Sequence, residues 1–373
     1  MVAHWKCIFA LLLVCFAATL GGCASGSSGN SVVQISPTQA VLTPGQQFQF
    51  NAITGVPNPP GFAWQVNGVV GGSPATGTIT SSGMFTAPPK AMSQPVQISI
   101  QSQKALATVS MFDPAQPNQG SVASTQNPLV AAYTIPIAAG ASAQVQFGTD
   151  TTYGLSTSIT STPSGDTATI LVAGMLPSTT YHMQAIVNLL GGTQYKDGDH
   201  TFTTGALPAG AMPNISTQVM GTGTQADGVE LLSLTASATG VNLCALATDL
   251  NGNVIWYYPL PLGAYVEPVK QLPNGHMLMI TAGTVNDMRE VDLGGNMVTQ
   301  ITLSQIAASL YGKVSWGIAG LNHDVLLLPN GHYILLANLV EPALDAPGVA
   351  DGTPITGNAL LDWDPNQGVV WTW

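Results

Sequence analysis

The sequence contains one hairpin motif twice, and this repeat constrains the fold more than any other feature. Leu-Pro-Asn-Gly-His occurs at residues 272–276 and again at residues 328–332, each time between short apolar runs. Asn-Gly is the pair that best tolerates the positive φ angles of a two-residue hairpin turn, so each copy predicts two antiparallel strands. A repeated β-hairpin is typical of a repeat architecture and favours the blades of a propeller.

The composition favours the same kind of structure. The 373 residues include 41 Gly and 26 Pro, which suits short strands joined by many turns, and the hydrophobic share of 45% argues against disorder. Charged residues make up only 7% and the net charge is −11, so no nucleic acid is expected as a partner. We therefore predict an all-β protein.

Two β-sandwiches are predicted before the repeat region. Residues 32–111 alternate apolar and polar side chains, place Trp64 in a strand that should be buried, and resemble bacterial Ig-like modules with a spacer or adhesive role. Residues 112–127 are rich in Pro, Gln and Ser and predict a linker. Residues 128–204 resemble a fibronectin type III sandwich, in which the Tyr181 hydroxyl should bond to backbone at a corner.

A group of ionisable residues stands at the end of the second predicted sandwich. Asp197, Asp199 and His200 could be read as a metal site, or as a turn that leads into the last strand. We favour the turn, because close neighbours in sequence cannot close a coordination shell. His182 should be solvated. No cofactor and no metal are predicted.

Residues 205–212 predict a second linker, and residues 213–373 predict an incomplete β-propeller of about three blades. Strand patterns group into residues 228–260, 265–303 and 324–373. A closed ring needs at least four blades, so an open arc is expected. The sequence stops inside a predicted strand at residues 369–373, and on this reading the chain is a fragment of the ring.

The candidate catalytic residues are His323, Asp324 and Glu267. The first strand of each blade lines the central channel, and His323 should open the first strand of the third set. Glu267 precedes the first Leu-Pro-Asn-Gly-His copy by the same spacing that separates His323 from the second. A neutral imidazole can take a proton, with a nearby carboxylate fixing its tautomer. The alternative is a histidine that tethers one blade to the next.

The segment from Asn322 to Val325, followed by residues 328–332, resembles the hallmark segment of the bacterial arylsulfate sulfotransferase family, and the resemblance extends over residues 213–373. It implies a six-bladed propeller enzyme that moves a sulfuryl group from a phenolic sulfate to a phenol, without a nucleotide donor. It also implies active-site histidines, one of them transiently sulfurylated, and an arginine. His323 matches the family's His-Asp position.

Other parts of the family's site have no counterpart in the sequence. No later His and Arg match, so we expect this chain by itself to be inactive. The single arginine, Arg289, is interpreted as a surface strand residue, and His276 and His332 as structural residues at the hairpin exits. The alternative function is a non-catalytic cell-surface lipoprotein whose propeller binds a ligand or partner.

The first 23 residues predict a lipoprotein signal peptide. An apolar stretch too short for a stable spanning helix ends in Leu-Gly-Gly-Cys, which resembles the bacterial lipobox with Cys23 as the acylated residue. Residues 24–31 would form a tether, with the outer membrane as the favoured location. An ordinary secretory signal is the alternative. Cys244 is interpreted as a small buried apolar residue, and no oligomeric state is predicted.

Overall fold

The computed structural model describes residues 33–54, 61–208, 212–213, 215–218, 228–234, 244–344 and 347–373. The expected lipidation site Cys23, the tether and the side chain of Cys244 lie outside this part of the chain. Within it the protein has 31 strands and one short helix, which establishes the all-β class. None of the described helical structure is long and apolar enough to cross a membrane.

The first sandwich follows from the alternation of buried and exposed side chains along short strands. Its core holds Trp64, Phe50 and Phe85, all buried as expected for inward-facing strand positions. β2 runs parallel to β11, so the sandwich is mixed and not purely antiparallel. The strands are β1 Gln34–Ser36, β2 Gln39–Leu42, β3 Gln47–Gln49, β4 Asn51–Ile53, β5 Trp64–Val66, β6 Val69–Val70, β7 Gly72–Ser73, β8 Gly77–Ile79, β9 Met84–Thr86, β10 Val96–Ile100 and β11 Leu106–Met111.

These eleven strands form three sheets. A five-stranded sheet has the order β2-β11-β10-β5-β6, a four-stranded sheet has the order β3-β9-β8-β7, and β1 pairs with β4.

The second sandwich has a longer and more regular alternation. Its strands are β12 Ser121–Ser124, β13 Ala131–Ala138, β14 Ser142–Gly148, β15 Leu155–Ser156, β16 Thr160–Ser161, β17 Gly165–Val172, β18 Thr180–Asn188, β19 Gln194–Lys196 and β20 His200–Thr203. One sheet has the order β12-β13-β17, and the other is built around β14 and β18. The Tyr181 hydroxyl accepts a hydrogen bond from the Leu176 amide at 2.9 Å, which confirms the predicted corner.

The segment expected as a linker between the sandwiches is part of the second one. β12 lies inside residues 112–127 and pairs with β13, and Phe112 is fully buried in the second core. The two sandwiches also touch directly, because the Ala139 amide donates to the Val41 carbonyl at 2.7 Å. Gln46 Nε2 donates to the Ala139 carbonyl at 2.8 Å. The expectation of a flexible connection is therefore wrong at this joint.

The remaining strands form three consecutive antiparallel sheets in chain order. They are β21 Glu230–Ser233, β22 Cys244–Thr248 and β23 Val254–Pro259, then β24 Ala264–Gln271, β25 Met277–Gly283, β26 Asp287–Val291 and β27 Met297–Thr302, then β28 Gly317–Leu327, β29 Tyr333–Pro342, β30 Pro354–Asp364 and β31 Gly368–Thr372. The first strands β21, β24 and β28 are neighbours. Among the described residues the sheets close no ring, so the architecture is an incomplete propeller.

A helix interrupts the path from the second sheet to the third. α1 spans Leu303–Leu310 and begins at a capping box, in which Thr302 and Gln305 exchange side-chain and backbone hydrogen bonds. Its Ile306 and Leu310 are buried against the third sheet. The sequence patterns predicted no helix here.

The second sandwich is joined to the propeller sheets by backbone and side-chain bonds. The Asn127 amide donates to the Gly294 carbonyl at 2.9 Å, and Asn127 Nδ2 donates to the Tyr257 carbonyl at 2.8 Å. Val130 is fully buried in one core with Val266. This contact fixes the end of the sandwich against the first two sheets.

Candidate functional site

The inner strands of the second and third sheets both bulge at the predicted site. The β24–β25 register shifts between Val266 and Val269, and the β28–β29 register shifts between Leu321 and Val325. Glu267 lies in the first bulge, and His323 and Asp324 lie in the second. A bulge releases residues from the ladder and turns their side chains, and bulges are common next to active sites.

His323 lies within a strand and not at its mouth. β28 begins at Gly317, six residues earlier, because the Gly- and Ala-containing segment before Asn322 also pairs with β29. Its φ angle is +54°, in the left-handed region that residues with a side chain rarely adopt. Backbone of this kind persists only where the surroundings impose it, and such positions cluster at functional sites.

Asparagine side chains hold the His323 bulge in place. The Leu321 amide donates to Asn286 Oδ1 at 2.8 Å, which ties the bulge to the second sheet. On the other side Asn322 is 7% exposed, and its Nδ2 donates to the side-chain oxygens of Asn338 and Asn358. The two residues that precede His323 are thus anchored to neighbouring parts of the sheets, while the imidazole itself is exposed.

The β24 bulge is supported in a comparable way. The Val269 amide, displaced from the ladder, donates to Ser233 Oγ of β21 at 2.8 Å. This bond joins the first and second sheets beside Glu267. The inner strands of three successive sheets are therefore linked at the level of the two bulges.

Lys270 joins the two bulges and was missed by sequence reasoning. Its Nζ donates to Asp324 Oδ1 and, at 3.1 Å, to the Val325 carbonyl. The chain has only seven lysines and arginines, so a lysine three positions after Glu267 was the available signal. It gives the site a cation, which the sequence analysis had not identified.

The three predicted catalytic residues share one region but are not bonded to one another. Asp324 binds Lys270 and its neighbouring Val325 amide at 2.7 Å, and not His323. Glu267 is half-buried. Within the described part of the chain no hydrogen bond or ion pair joins Glu267 or Asp324 to the His323 imidazole. The geometry therefore does not provide a carboxylate that fixes the tautomer of this ring.

Arg289 was expected on the surface, and this interpretation is wrong. Its side chain is 12% exposed and forms two bonds to Asp287, Nε to Oδ1 at 2.8 Å and Nη2 to Oδ2 at 3.1 Å. Nη1 reaches the Tyr258 hydroxyl at 3.4 Å. Burial of Asp287 on a central strand demands such a partner, because an unpaired buried carboxylate is costly.

The two hairpin-exit histidines make the same contact in the two copies. His276 Nδ1 lies 2.6 Å from Glu290 Oε1, and His332 Nδ1 lies 2.8 Å from Asp362 Oδ1. The Tyr333 hydroxyl of the next sheet donates to Glu290 Oε2 at 2.7 Å. These contacts confirm a structural role, in which an acid on the third strand of each sheet holds the hairpin.

We call the contact between each hairpin-exit histidine and its acid, His276 with Glu290 and His332 with Asp362, a latch. The protonation of Glu290 and its partner Tyr333 reflects the burial of these side chains and their hydrogen bonds. Burial alone would raise the pKa of the Glu290 carboxyl, but hydrogen bonds from Tyr333 and His276 hold that pKa below its ordinary value. Burial, and the hydrogen bond to Glu290, raise the pKa of Tyr333 to about 12. The pair is therefore a carboxylate and a neutral phenol over a wide pH range.

Asp197 is the buried centre of the second sandwich. It accepts hydrogen bonds from the hydroxyls of Tyr133 at 2.6 Å and Tyr195 at 2.8 Å, and it lies 3.1 Å from His200 Nε2. Burial would raise the pKa of Asp197, but the tyrosine hydrogen bonds outweigh it and the pKa is lowered. Among the described residues no group of three or more His, Cys, Asp or Glu side chains could hold a metal ion.

His182 belongs to the same end of the sandwich. It was expected to be solvated, but its Nδ1 lies 2.7 Å from Asp199 Oδ2, and the ring is about one-third exposed. The acids and histidines of this segment therefore serve the sandwich itself.

The region that carries the bulges has a recognisable sequence. Residues 218–373 match the family model described as Arylsulfotransferase (ASST). The match spans all three arylsulfotransferase-like sheets and every candidate residue from Glu267 to Asp324, and it supports a function of the arylsulfotransferase type in general. None of the curated proteins matches the chain.

Likenesses to solved structures are remote. The ICAM-5 D1–D4 ectodomain fragment is 12% identical, covers 90% of this chain and 99% of its own, and has a TM-score of 0.20. The four N-terminal Ig domains of Dscam1 isoform 4.4 are 12% identical, with coverages of 91% and 98% and a TM-score of 0.23. Trypsin-activated alpha-2-macroglobulin from Escherichia coli is 10% identical, with coverages of 92% and 30% and a TM-score of 0.18. These values carry no functional argument.

Proposed function

We propose that the protein is an arylsulfate sulfotransferase, which moves a sulfuryl group from a phenolic sulfate ester to a phenol. One observation carries the proposal. Within the region that matches the arylsulfotransferase model, an exposed histidine sits in a strained bulge of an inner strand, with a lysine on the neighbouring inner strand. A strained backbone that is anchored just before His323 and presents an unbonded imidazole favours a chemical role.

The proposed step assigns a role to each charged group. The neutral His323 imidazole accepts the proton of the acceptor phenol as the phenol oxygen forms a bond to sulfur. The bond between sulfur and the donor aryl oxygen breaks, and the departing phenolate takes the proton back from the imidazolium. The Lys270 ammonium, held by Asp324, faces the negative sulfuryl oxygens. Glu267 in the neighbouring bulge orients the acceptor hydroxyl.

The two sandwiches and the N-terminal segment have proposed roles outside the reaction. We take the two sandwiches to be Ig-like and fibronectin type III-like spacers, and residues 1–23 to be a lipoprotein signal that leaves Cys23 anchored in the bacterial envelope. The three sheets leave the bulges open to water. Because electrostatic stabilisation is strongest in a water-excluded site, we expect little turnover from the 373-residue chain by itself.

The test is sulfuryl transfer from 4-nitrophenyl sulfate to phenol by the protein, followed by the release of 4-nitrophenol. His323→Ala should lower the rate by about 10²–10⁴-fold, the usual contribution of a positioned acid–base group. His332→Ala is the matched control, because its ring belongs to the same sheet but is held by Asp362, and its rate should stay near that of the wild type.

Two outcomes would count against the proposal. Wild-type rates in His323→Ala would assign His323 to a tethering role. A wild type that is inert towards aryl sulfates would favour the alternative, a non-catalytic surface lipoprotein that binds a ligand or partner.

A further inference from the structure

A polar groove separates the second sandwich from the second propeller sheet, away from the two bulges. Its main cavity has a volume of about 660 Å³, and an adjoining cavity of about 230 Å³ shares Thr169, Leu171 and His276 with it. We call the two cavities together the interface groove. Clefts of this size at domain boundaries are a common location for small-molecule sites.

His276 presents a free ring nitrogen to this groove. Its Nδ1 is committed to Glu290 at 2.6 Å, so Nε2 points away from the latch. Nε2 forms no hydrogen bond or ion pair with a described residue, and the side chain is 28% exposed. In the neutral ring, Nδ1–H donates to the Glu290 carboxylate, which leaves Nε2 as an acceptor of fixed orientation.

The second copy of the histidine, His332, shows that holding the hairpin does not require an unbonded ring nitrogen. His332 occupies the same position in the third sheet, yet both of its ring nitrogens face acids, Asp362 at 2.8 Å and Asp364 at 3.5 Å. In the first copy the ring lines a cavity, and one of its nitrogens has no acid partner among the described residues. The difference between two otherwise equivalent histidines therefore points to a role for His276 beyond the hairpin.

The chemistry of the walls selects the class of ligand. The Asp292 carboxylate lines the groove, where it accepts a hydrogen bond from the Asn296 amide at 2.8 Å. The groove further offers hydroxyls from Ser124 and Thr169 and amides from Gln126 and Asn296, which bond to each other, over the apolar side chain of Leu171. These groups both donate and accept hydrogen bonds. Among the residues that the structure describes, no lysine or arginine lines the groove, and the chain has a net charge of −11, which disfavours phosphates and other anions.

We propose that the interface groove binds a neutral oligosaccharide, with His276 Nε2 accepting a hydrogen bond from a sugar hydroxyl. The side chains of the sandwich wall and of the propeller wall contact the same sugar chain, while Leu171 packs against a C–H face. This binding site is independent of sulfuryl transfer, and it holds whether or not the protein is an enzyme.

The experiment titrates the isotopically labelled protein with maltotriose, cellotriose and chitotriose and follows the His276 ring and the β12 and β17 amides by NMR. At least one trisaccharide should give saturable shifts at these positions. His276→Ala should weaken its binding by about tenfold, the value of one hydrogen bond of about 1.4 kcal/mol. His332→Ala, which breaks the equivalent latch in the next sheet, should leave the affinity within about twofold.

Ser124→Trp provides a second test that leaves the latch intact. Ser124 is exposed on β12, so a tryptophan there fills the groove without entering a core, and binding should be lost while the thermal unfolding temperature is kept. The proposal is overturned if none of the three trisaccharides gives saturable shifts, if the shifts lie outside the groove, or if His332→Ala weakens binding as much as His276→Ala.

Discussion

His323 combines an unfavourable backbone with an exposed side chain. For a residue with a Cβ the left-handed conformation costs about 1–2 kcal/mol, and β-branched residues tolerate it least. The cost is imposed by Asn286 and Asn322, whose bonds fix the two residues that precede His323. The backbone conformation that positions the His323 imidazole therefore lowers the stability of the protein.

This strain predicts the order of two substitutions. The free energy of unfolding of His323→Gly should exceed that of His323→Val by about 1–2 kcal/mol, because only glycine adopts a φ of +54° without strain. Urea denaturation of both variants measures the difference. The control is the same pair of substitutions at Asp324, which has no positive φ, and there valine should be at least as stable as glycine. Equal stability of the two His323 variants would contradict the strain.

At this scale the sequence supplied part of the site. His323 and Glu267 could be selected because they stand at the same distance before the two Leu-Pro-Asn-Gly-His copies, and Asp324 because it follows His323 in the motif that resembles the family. The partner of Asp324 could not, since Lys270 reaches it from another sheet, and contacts between sheets depend on packing that no local pattern encodes. Arg289 was placed on the surface although its partner Asp287 lies two positions earlier on the same strand, because the local sequence does not show that Tyr258 of another sheet packs against it.

Among the elements, the hairpins were predictable and their latches were not. The strand pairs around Gly275 and Gly331 follow from the sequence, but the turns are not the two-residue type that was predicted. Only the glycine of each Asn-Gly pair has a positive φ, and its amide donates to the Leu272 or Leu328 carbonyl, so the turn includes the preceding proline. The acid that binds each histidine lies on the third strand, opposite Leu278 in one copy and Ile334 in the other. The loop lengths before these strands differ, so the equivalence of Glu290 and Asp362 appears only with the register.

Helix α1 was missed for a different reason. The capping box at Thr302 and Gln305 is a readable start signal, but the eight residues of α1 are too few for helical periodicity to stand out from the strands around it. The extension of β28 back to Gly317 was missed because Gly and Ala dominate it.

The bond between Tyr333 and Glu290 joins the second and third sheets, and its removal has a defined pH signature. Tyr333→Phe should lower the free energy of unfolding by about 1.5–3 kcal/mol at neutral pH, the usual range for a hydrogen bond to a charged group. Because the folded pKa of Tyr333 is raised from 10.0 to about 12, the contribution is complete below pH 10 and is lost as pH rises to about 12.

Chemical denaturation of wild type and Tyr333→Phe between about pH 8 and pH 12 measures this signature. The two stability curves should converge at the alkaline end. A gap that stays constant up to pH 12 would show that the phenol contributes through packing alone.

At the scale of the whole molecule, the sequence predicted two sandwiches and a set of propeller sheets, but it did not predict how these units are joined. Pro, Gln and Ser in residues 112–127 indicated a loose linker, yet the segment forms β12 and buries Phe112. Local composition describes the turns of this segment correctly and misses that both of its ends enter cores, because burial is decided by residues far away in the chain.

The proposed anchor is a property of the whole chain. Mature protein expressed in a bacterium should carry acyl chains on Cys23 and sediment with the membranes, since the Leu-Gly-Gly-Cys sequence provides the acylation site. Cys23→Ser should move the protein to the soluble fraction, as followed by fractionation and immunoblotting. Cys15→Ser, within the same apolar stretch, is the control and should leave the distribution unchanged. Membrane association of Cys23→Ser at the wild-type level would contradict the anchor.

The joint at Asn127 has a hydrodynamic consequence. Its bonds to Gly294 and Tyr257, together with the buried Val130, prevent the second sandwich from rotating independently of the sheets. The bond between Ala139 and Val41 restrains the first sandwich in the same manner. The three bodies should therefore tumble together, with one rotational correlation time instead of three. The direction in which the two bulges face is then set by the body of the protein rather than by the length of a tether.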